Sequence, residues 1–274
     1  MFDLTPILEK AGGKIIAVAF QDHESDADYF LNADHAFHPA STFKVHVMME
    51  VFHQANEGML FLDDRLPINN SFRSIADGST YSLHVDDDAE QSLYPRLGED
   101  ESVHELTRLM IVCSSNLSTN ILLEKVGAEQ VNDFIRALGI EGVIVRRGVE
   151  AHAAFRLGMN NSATARGLTQ TMDLIARKKV VSEEASQKMI GIMLAQEFNE
   201  SIPALLPSSV RVAHKTGWTD DYYHDTGIVY PPDRKPYVLS IMTKGFPEDR
   251  ATDAHACMAN ISRLIYDRIH NVLT

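Results

Sequence analysis

The stretch Ser41-Thr42-Phe43-Lys44 decides how this sequence is interpreted. Apolar residues follow it at the i, i+3, i+4 and i+7 spacing of one helical face: Val45, Met48, Met49 and Phe52. Because Ser41 and Lys44 are three apart, they lie about one turn from each other on the same side of this helix. A serine hydroxyl needs a base to take its proton, and a lysine can be that base when burial or a nearby cation lowers its pKa. The spacing therefore suits a serine nucleophile with a lysine amine beside it.

The backbone of Ser41 adds a second chemical feature. Near a helix start, its N–H has no partner inside the helix, so it could point at an oxyanion that develops on a substrate carbonyl. A Ser-x-x-Lys spacing also occurs by chance in a chain of 274 residues. A capped helix with a solvated lysine gives the same pattern, so the rest of the chain must decide.

The composition is that of a globular, acidic protein. Hydrophobic residues make up 45% of the chain, which excludes a disordered class. The 25 Lys and Arg against 38 Asp and Glu give a net charge of −13, which argues against nucleic acid and anionic membrane surfaces as partners. Cys113 and Cys257 lie in apolar helical patterns and are expected to be buried free thiols. Neither the cysteines nor the 12 histidines have metal-ligand spacing, and no nucleotide-binding motif occurs, so we expect no metal and no cofactor.

The N-terminal segment bears on the location of the protein. It reads Met-Phe-Asp-Leu-Thr-Pro-Ile-Leu-Glu-Lys, with no basic region, no long apolar run and no lipidated cysteine. No stretch of the sequence approaches the roughly 20 apolar residues of a membrane span. The sequence as it stands predicts a cytoplasmic protein, whereas a periplasmic or secreted one follows if an export signal has been removed.

Strand patterns occur at both ends of the chain and helical patterns in the middle. We predict strands over residues 14–20, 29–31, 210–215, 226–230 and 237–244. We predict helices over 3–11, after Ser41, after Ser102, on both sides of Gly127, and over 164–178, 182–198 and 253–272. This order predicts an α+β fold, with a sheet domain from residues 1–38 plus 208–274 and an inserted all-helical domain from residues 39–207. We expect the active site in the cleft between them.

Two further features of the chain receive structural interpretations. The stretch 61–100 looks irregular, and a loop of this length is often functional, so we expect it to overhang the cleft. Its acidic run Asp86-Asp87-Asp88 lacks the ligand pattern of a calcium loop and is predicted to be a solvated face. His214 and the dipeptide His224-Asp225 lie on consecutive predicted strands and could pair across their hairpin.

Three motifs occur in a specific order along the chain. Ser41-x-x-Lys44 starts a helix, Ser114-Ser115-Asn116 lies where two helices meet, and Lys215-Thr216-Gly217 ends an apolar strand. Each motif is weak alone, but their order, separations and setting match a known signature of class A β-lactamases and penicillin-binding proteins. The chain therefore resembles the serine β-lactamase and penicillin-recognising serine hydrolase superfamily, and looks most like its class A-type branch. The resemblance implies a β-lactamase/transpeptidase-like fold, in which helices flank an antiparallel sheet and an all-helical domain is inserted.

The resemblance also implies catalytic roles. Ser41 would attack the lactam or acyl carbonyl, and Lys44 would take or shuttle its proton. Ser114 would relay a proton to the leaving nitrogen, and Lys215 would hold Ser114 in a positive field.

Substrate-binding roles follow from the same resemblance. Asn116 would bind the substrate amide. Lys215 and Thr216 would hold the substrate carboxylate, because an ammonium and a hydroxyl suit an anion. Trp218, directly after Gly217, would supply the second backbone N–H of an oxyanion hole.

The sequence departs from the family pattern at two places. The middle motif is Ser-Ser-Asn where Ser-Asp-Asn is usual in class A enzymes, and its middle position is interpreted as structural. Class A deacylation uses a glutamate within a Glu-Pro-x-Leu-Asn type sequence, whereas the corresponding stretch here is Arg146-Arg147-Gly148-Val149-Glu150-Ala151-His152. Glu150 is the candidate deacylation base, and Glu141 and His152 are weaker candidates. A solvent-facing loop glutamate is the alternative interpretation.

Together these features predict a serine hydrolase of β-lactamase type, which opens β-lactam rings through an acyl-enzyme on Ser41. A D-alanyl peptidase or esterase on the same scaffold is one alternative, and a slowly deacylating penicillin-binding or sensor module is another. The expected partner is a small molecule, either a β-lactam or an acyl-peptide or ester. The sequence does not determine the oligomeric state.

Overall fold

Both ends of the chain build one antiparallel sheet in the computed structural model, which describes residues 2–271. The strands are β1 (Ile15–Asp22), β2 (Asp28–Leu31), β3 (Arg65–Pro67), β4 (Phe72–Arg73), β5 (Thr80–Tyr81), β6 (Asp100–Ser102), β7 (Val143–Ile144), β8 (Ser162–Ala163), β9 (Arg211–Thr219), β10 (Tyr222–Tyr230) and β11 (Tyr237–Lys244). The main sheet has the order β2-β1-β11-β10-β9, while β3–β6, β4–β5 and β7–β8 form short pairs. The predicted α+β class and antiparallel sheet are confirmed.

Helices fill the middle of the chain and also lie at its two ends. They are α1 (Thr5–Ala11), α2 (Lys44–Asn56), α3 (Val103–Val112), α4 (Asn116–Val126), α5 (Ala128–Ala137), α6 (His152–Arg156), α7 (Ala165–Ala176), α8 (Glu183–Leu194) and α9 (Ala251–Asn271). No helix within the described residues is long and apolar enough to cross a membrane. The division at residues 38/39 and 207/208 stays a prediction, as does the cellular location.

Side chains of the sheet alternate between two hydrophobic cores, as the period of two in a strand requires. In β1, Ile16, Val18 and Phe20 lie in the core shared with α1 and α9. Ala17 and Ala19 lie in the larger core shared with the helices between α2 and α8. Burial on both faces explains why β1 appears in the sequence as a continuous apolar run.

The helix after the Ser41 stretch differs from its prediction. Residues Ala40–Phe43 form a 3-10 turn, and α2 begins only at Lys44. Most of α2 is buried, including the polar Lys44, His46 and Glu50, so it is a central helix rather than one with an exposed face. The apolar periodicity is real, but the polar positions between are also covered by neighbouring elements.

The hairpin of β9 and β10 is longer than predicted. The sequence prediction ended the first strand at Lys215 and began the second at Thr226, whereas the two strands pair from Arg211 opposite Tyr230 to Thr219 opposite Tyr222. Polar residues and Gly217 interrupt the apolar pattern at this end, although the strands continue through them. The helix predicted over 182–198 overran, since α8 ends at Leu194. Val272, where the predicted last helix ends, lies outside the described residues.

Candidate active site

Ser114 lies at the junction of α3 and α4 and faces two lysines. Its backbone adopts a left-handed conformation, with a φ of 59°, which turns the chain between the two helices. Its Oγ accepts a hydrogen bond from Lys215 Nζ at 3.0 Å and lies 3.4 Å from Lys44 Nζ. All three side chains are buried. The fold therefore brings residues of the three sequence motifs into contact.

Lys44 is surrounded by hydrogen-bond acceptors. Its Nζ lies 2.6 Å from Ser114 O and 2.9 Å from Asn116 Oδ1. Burial lowers the pKa of Lys44 to about 7, and the carboxylates of Asp88 and Glu150 oppose this shift. An amine with this pKa is largely neutral above neutral pH, so it can accept a proton.

Lys215 approaches Ser114 from the sheet. Its Nζ also donates to Thr216 O at 2.9 Å. Burial lowers its pKa well below the usual value, and the charge of Lys44 lowers it further, while Asp225 raises it. Two buried amines near one hydroxyl disfavour double protonation, so this arrangement suits proton transfer among them.

Gly217 holds β9 close to the turn that contains Ser41. A Cβ atom at position 217 would lie 2.6 Å from Ser41 N and 3.0 Å from Thr42 N. Real Cβ atoms do not approach backbone nitrogen this closely, so only glycine fits here without a shift of the backbone. This contact brings the third motif beside the proposed nucleophile.

The two residues on either side of Gly217 present different groups. The Oγ1 of Thr216 is buried and has no hydrogen-bond partner within residues 2–271. A buried hydroxyl without a partner is costly, and an anionic ligand would satisfy it. The ring of Trp218 is 42% exposed and packs edge-on against Phe198 at 5.0 Å between ring centroids.

Asn116 connects Lys44 to Glu150. Its Oδ1 accepts from Lys44, and its Nδ2 lies 3.3 Å from Glu150 Oε1. The other carboxylate oxygen of Glu150 accepts from His84 N at 3.1 Å. Burial raises the pKa of Glu150, although these hydrogen bonds oppose the shift. Glu150 is therefore half-buried beside the site rather than facing solvent, and His84, in the stretch 61–100, contacts it.

A side-chain clamp fixes the segment before Glu150. Asn120 Oδ1 accepts from Val149 N at 2.8 Å, and its Nδ2 donates to Val149 O at 3.2 Å. A Cβ atom at Gly148 would lie 2.2 Å from Asn120 Oδ1, so the clamp requires glycine there. Glu150 itself has a φ of 57°, a strained value that the clamped backbone maintains.

Comparison with known proteins identifies the family of this chain. The model of the Beta-lactamase enzyme family matches residues 3–269. The chain belongs to this family. Among curated relatives, the extended-spectrum β-lactamase PER-1 of Pseudomonas aeruginosa is 24% identical over 246 residues, which are 86% of this chain and 76% of that protein. A β-lactamase of Streptomyces albus G is 24% identical over 276 residues, which are 96% of this chain and 82% of that protein.

A solved structure shows the same fold. A variant of PBP-A, determined as an acyl-enzyme complex with penicillin G, superposes with a TM-score of 0.83 at 23% identity, over 97% of this chain and 94% of that chain. The predicted superfamily and the β-lactamase/transpeptidase-like fold are thus confirmed.

This member of the Beta-lactamase enzyme family contains a site residue that sequence analysis misinterpreted. Asp88 was expected to be solvated with Asp86 and Asp87, but it is only 4% exposed. Its carboxylate accepts from Asn116 N at 2.8 Å and from Leu117 N at 2.9 Å, so it caps the first turn of α4. A capping contact across 28 residues leaves no local signal in the sequence.

The weaker candidates for the deacylation base are both exposed. Glu141 N donates to Gln170 Oε1 at 3.1 Å, and His152 N donates to the backbone oxygen of Glu150 at 2.7 Å. Among the described residues, the side chains of Glu141 and His152 form no hydrogen bond with the three motifs. The predicted pairing across the hairpin does occur, because His214 Nδ1 lies 2.9 Å from Asp225 Oδ1 and both side chains are fully buried. His224 does not take part, since its Nε2 faces His38 O at 2.8 Å.

Proposed function

We propose that this protein is a serine β-lactamase, a hydrolase of the EC 3.5.2.6 type, that acts through an acyl-enzyme on Ser41. The observation that carries the proposal is the position of Ser114 Oγ, between the amines of Lys44 and Lys215. A hydroxyl in this position can relay a proton from Lys44 to the leaving nitrogen. The contact of Gly217 with Ser41 supports the assignment of the nucleophile to the same site.

Acylation proceeds in three proton transfers. Ser41 Oγ attacks the lactam carbonyl carbon as its proton passes to Lys44 Nζ, and backbone N–H groups of Ser41 and Trp218 stabilise the oxyanion. The carbon–nitrogen bond of the ring then breaks. The nitrogen takes the proton of Ser114 Oγ, which Lys44 replaces, so both side chains return to their starting state.

Substrate binding uses the remaining motif residues. Lys215 holds the substrate carboxylate together with the hydroxyl of Thr216, which has no hydrogen-bond partner within residues 2–271. The family resemblance assigns Asn116 to the substrate amide, and its Nδ2 lies 3.3 Å from Glu150 Oε1. The substrate is a small molecule with a carboxylate beside a reactive carbonyl, and the β-lactams fit this description.

Deacylation requires a base that activates water. Glu150 is the proposed base, because burial raises its pKa and it shares Asn116 with Lys44. A slowly deacylating penicillin-binding module is the second candidate. It is favoured by the engagement of both Glu150 oxygens with Asn116 and His84, which leaves the carboxylate less free to bind water. A D-alanyl peptidase or esterase would use the same acylation residues.

Steady-state turnover separates these candidates. A chromogenic cephalosporin is mixed with the parent protein and with Ser41→Ala, and ring opening is followed for many enzyme equivalents. The β-lactamase proposal predicts continued turnover by the parent and none by the variant. One burst of product followed by a stall identifies the slowly deacylating module. Absence of any reaction, together with hydrolysis of a D-alanyl peptide or an ester, identifies the peptidase or esterase.

A further inference from the structure

A short segment between α8 and β9 bridges the elements that carry Ser114 and Lys215. We call residues 196–202 the strap. Gln196, at its start, is buried, and its Nε2 donates to Ile111 O at 2.9 Å, while Glu197 N donates to Val112 O at 3.3 Å. These carbonyls belong to the last turn of α3, two and three residues before Ser114. The strap is therefore hydrogen-bonded to the element that positions Ser114.

The other side of the strap is bonded to the sheet. Asn199 Oδ1 lies 3.2 Å from Nε2 of His214, the residue directly before Lys215. Ile202 N donates to Asp225 Oδ2 at 3.0 Å. The strap thus contacts β9 and β10 beside the lysine, and α3 beside the serine.

Both ring nitrogens of His214 face polar partners. Its Nδ1 faces a carboxylate oxygen of Asp225, and its Nε2 faces the amide oxygen of Asn199. The orientation of this amide is fixed, because its Nδ2 donates to Gln196 O at 2.9 Å and to Glu197 O at 3.1 Å. The ring of His214 is therefore held by β10 on one side and by the strap on the other.

The sheet is shaped to hold this ring. Gly227 lies opposite His214 in β10, and a Cβ atom there would lie 2.6 Å from His214 Cβ. Only glycine at this position leaves room for the histidine. The side chains of His214 and Asp225 are both fully buried, where polar groups need hydrogen-bond partners.

We propose that His214 is a positioning residue, which ties the strap to β9 and thereby sets the distance between Ser114 and Lys215. The proposal rests on the proposed function, because that distance matters when Ser114 passes a proton to the leaving nitrogen. His214 itself touches neither substrate nor reacting atoms. It acts through the chain of contacts from Asn199 to Gln196 and α3.

The variant Asn199→Ala tests this role with little risk to folding. Asn199 is exposed, so its truncation removes the link to His214 but leaves the His214–Asp225 pair intact. Asn260→Ala is the matched control, since Asn260 is also exposed and donates to a backbone carbonyl, but on α9. Misplacement of reacting groups by about 1 Å can cost roughly 10²-fold in rate. We expect the acylation rate of Asn199→Ala to fall about 10-fold, with the Kd for the lactam nearly unchanged, and Asn260→Ala to match the parent.

A double-mutant cycle separates positioning from general destabilisation. In a Ser114→Ala background, Asn199→Ala should have no further effect on acylation, because the contact that it perturbs is already absent. The proposal would be overturned if Asn199→Ala lowered the acylation rate equally in both backgrounds, or if it did not lower the rate in the parent.

A second measurement does not depend on activity. In protein labelled with nitrogen-15 histidine, the signals lost in His214→Gln identify His214, and NMR reports how its two ring nitrogens respond to Asn199→Ala. We expect the Nε2 signal to shift, because Nε2 faces Asn199, and the Nδ1 signal to change less, because Nδ1 faces Asp225. An unchanged Nε2 signal would refute the positioning role even if Ser41 is the nucleophile. If the protein forms no acyl-enzyme but the Nε2 signal shifts, the proposed function fails and the strap geometry stands.

Discussion

Gly217 on β9 lies so close to Ser41 that a methyl group at position 217 would come within 2.6 Å of the Ser41 backbone nitrogen. Gly217→Ala should therefore push β9 away from the turn and displace the N–H groups assigned to the oxyanion hole. Loss of one such donor typically costs about 10²–10³-fold in kcat, so we expect acylation to fall at least about 10-fold. The rate of acyl-enzyme formation by stopped-flow measures this.

Gly191→Ala is the control for this substitution. Gly191 lies in α8, and a Cβ atom there would have no neighbour within 4 Å. Alanine in a helix interior is more stable than glycine by roughly 0.5–1 kcal/mol, so this variant should acylate normally and unfold at a slightly higher temperature. Acylation by Gly217→Ala at the parent rate would show that the close approach of Gly217 to Ser41 does not affect catalysis.

The pKa of Lys44 predicts how acylation depends on pH. Burial lowers this pKa to about 7, so the neutral amine that accepts the serine proton forms as the pH rises through about 7. The acylation rate should rise between about pH 6 and pH 8 and then reach a plateau. Lys44→Met should lose this rise and acylate about 10²–10⁴-fold more slowly, whereas Lys188→Met, at an exposed ion pair with Glu184, should resemble the parent. A flat profile in the parent would exclude Lys44 as the base.

Glu150→Gln should separate the two halves of the reaction. The amide keeps the size of the side chain but cannot take a proton from water, so acylation should proceed and deacylation should slow by about 10²–10⁴-fold. The acyl-enzyme should then accumulate and be visible by mass spectrometry at steady state. Glu141→Gln, at an exposed loop position, is the control and should turn over normally. Equal deacylation rates in the parent and in Glu150→Gln would show that Glu150 is not the deacylation base.

The cap of α4 by Asp88 predicts a difference between neighbouring aspartates. Asp88→Ala leaves the backbone N–H groups of Asn116 and Leu117 without a partner, which should lower the free energy of unfolding by about 1–3 kcal/mol. Asp86 is exposed, so Asp86→Ala should change it by less than about 0.5 kcal/mol. Urea denaturation of the two variants measures the difference. Similar stabilities would mean that the cap contributes little.

Strands were predictable from the sequence where their hydrophobic pattern reflects the burial of their faces. The continuous apolar run of β1 identified a buried strand because both of its faces are covered by hydrophobic cores. The end of β9, from Thr216 to Thr219, was missed because polar residues and a glycine interrupt the apolar pattern there. The 3-10 turn at Ala40–Phe43 also has no periodic signal, since one turn is too short to show a period.

The candidate site was predictable as a set of motifs, but not as a set of contacts. The spacing of Ser41, Lys44 and Lys215 indicated the chemistry, and the resemblance assigned the roles. The contacts that hold the site join residues far apart in the chain, such as Asp88 with Asn116 and Asn120 with Val149. Polar residues in loops give the same sequence pattern whether they are solvated or buried, so only the fold distinguishes the two.

Covalent labelling shows whether Ser41 is the nucleophile. The parent, Ser41→Ala and Glu150→Gln are each exposed briefly to penicillin, quenched, digested and mapped by mass spectrometry. We expect an adduct of one penicillin on the peptide that contains Ser41, with the modification on Ser41 itself, and no adduct in Ser41→Ala. The adduct should be most abundant in Glu150→Gln, where its release is slowed. An adduct on Ser114, or an adduct that persists in Ser41→Ala, would contradict the assignment of Ser41 as the nucleophile.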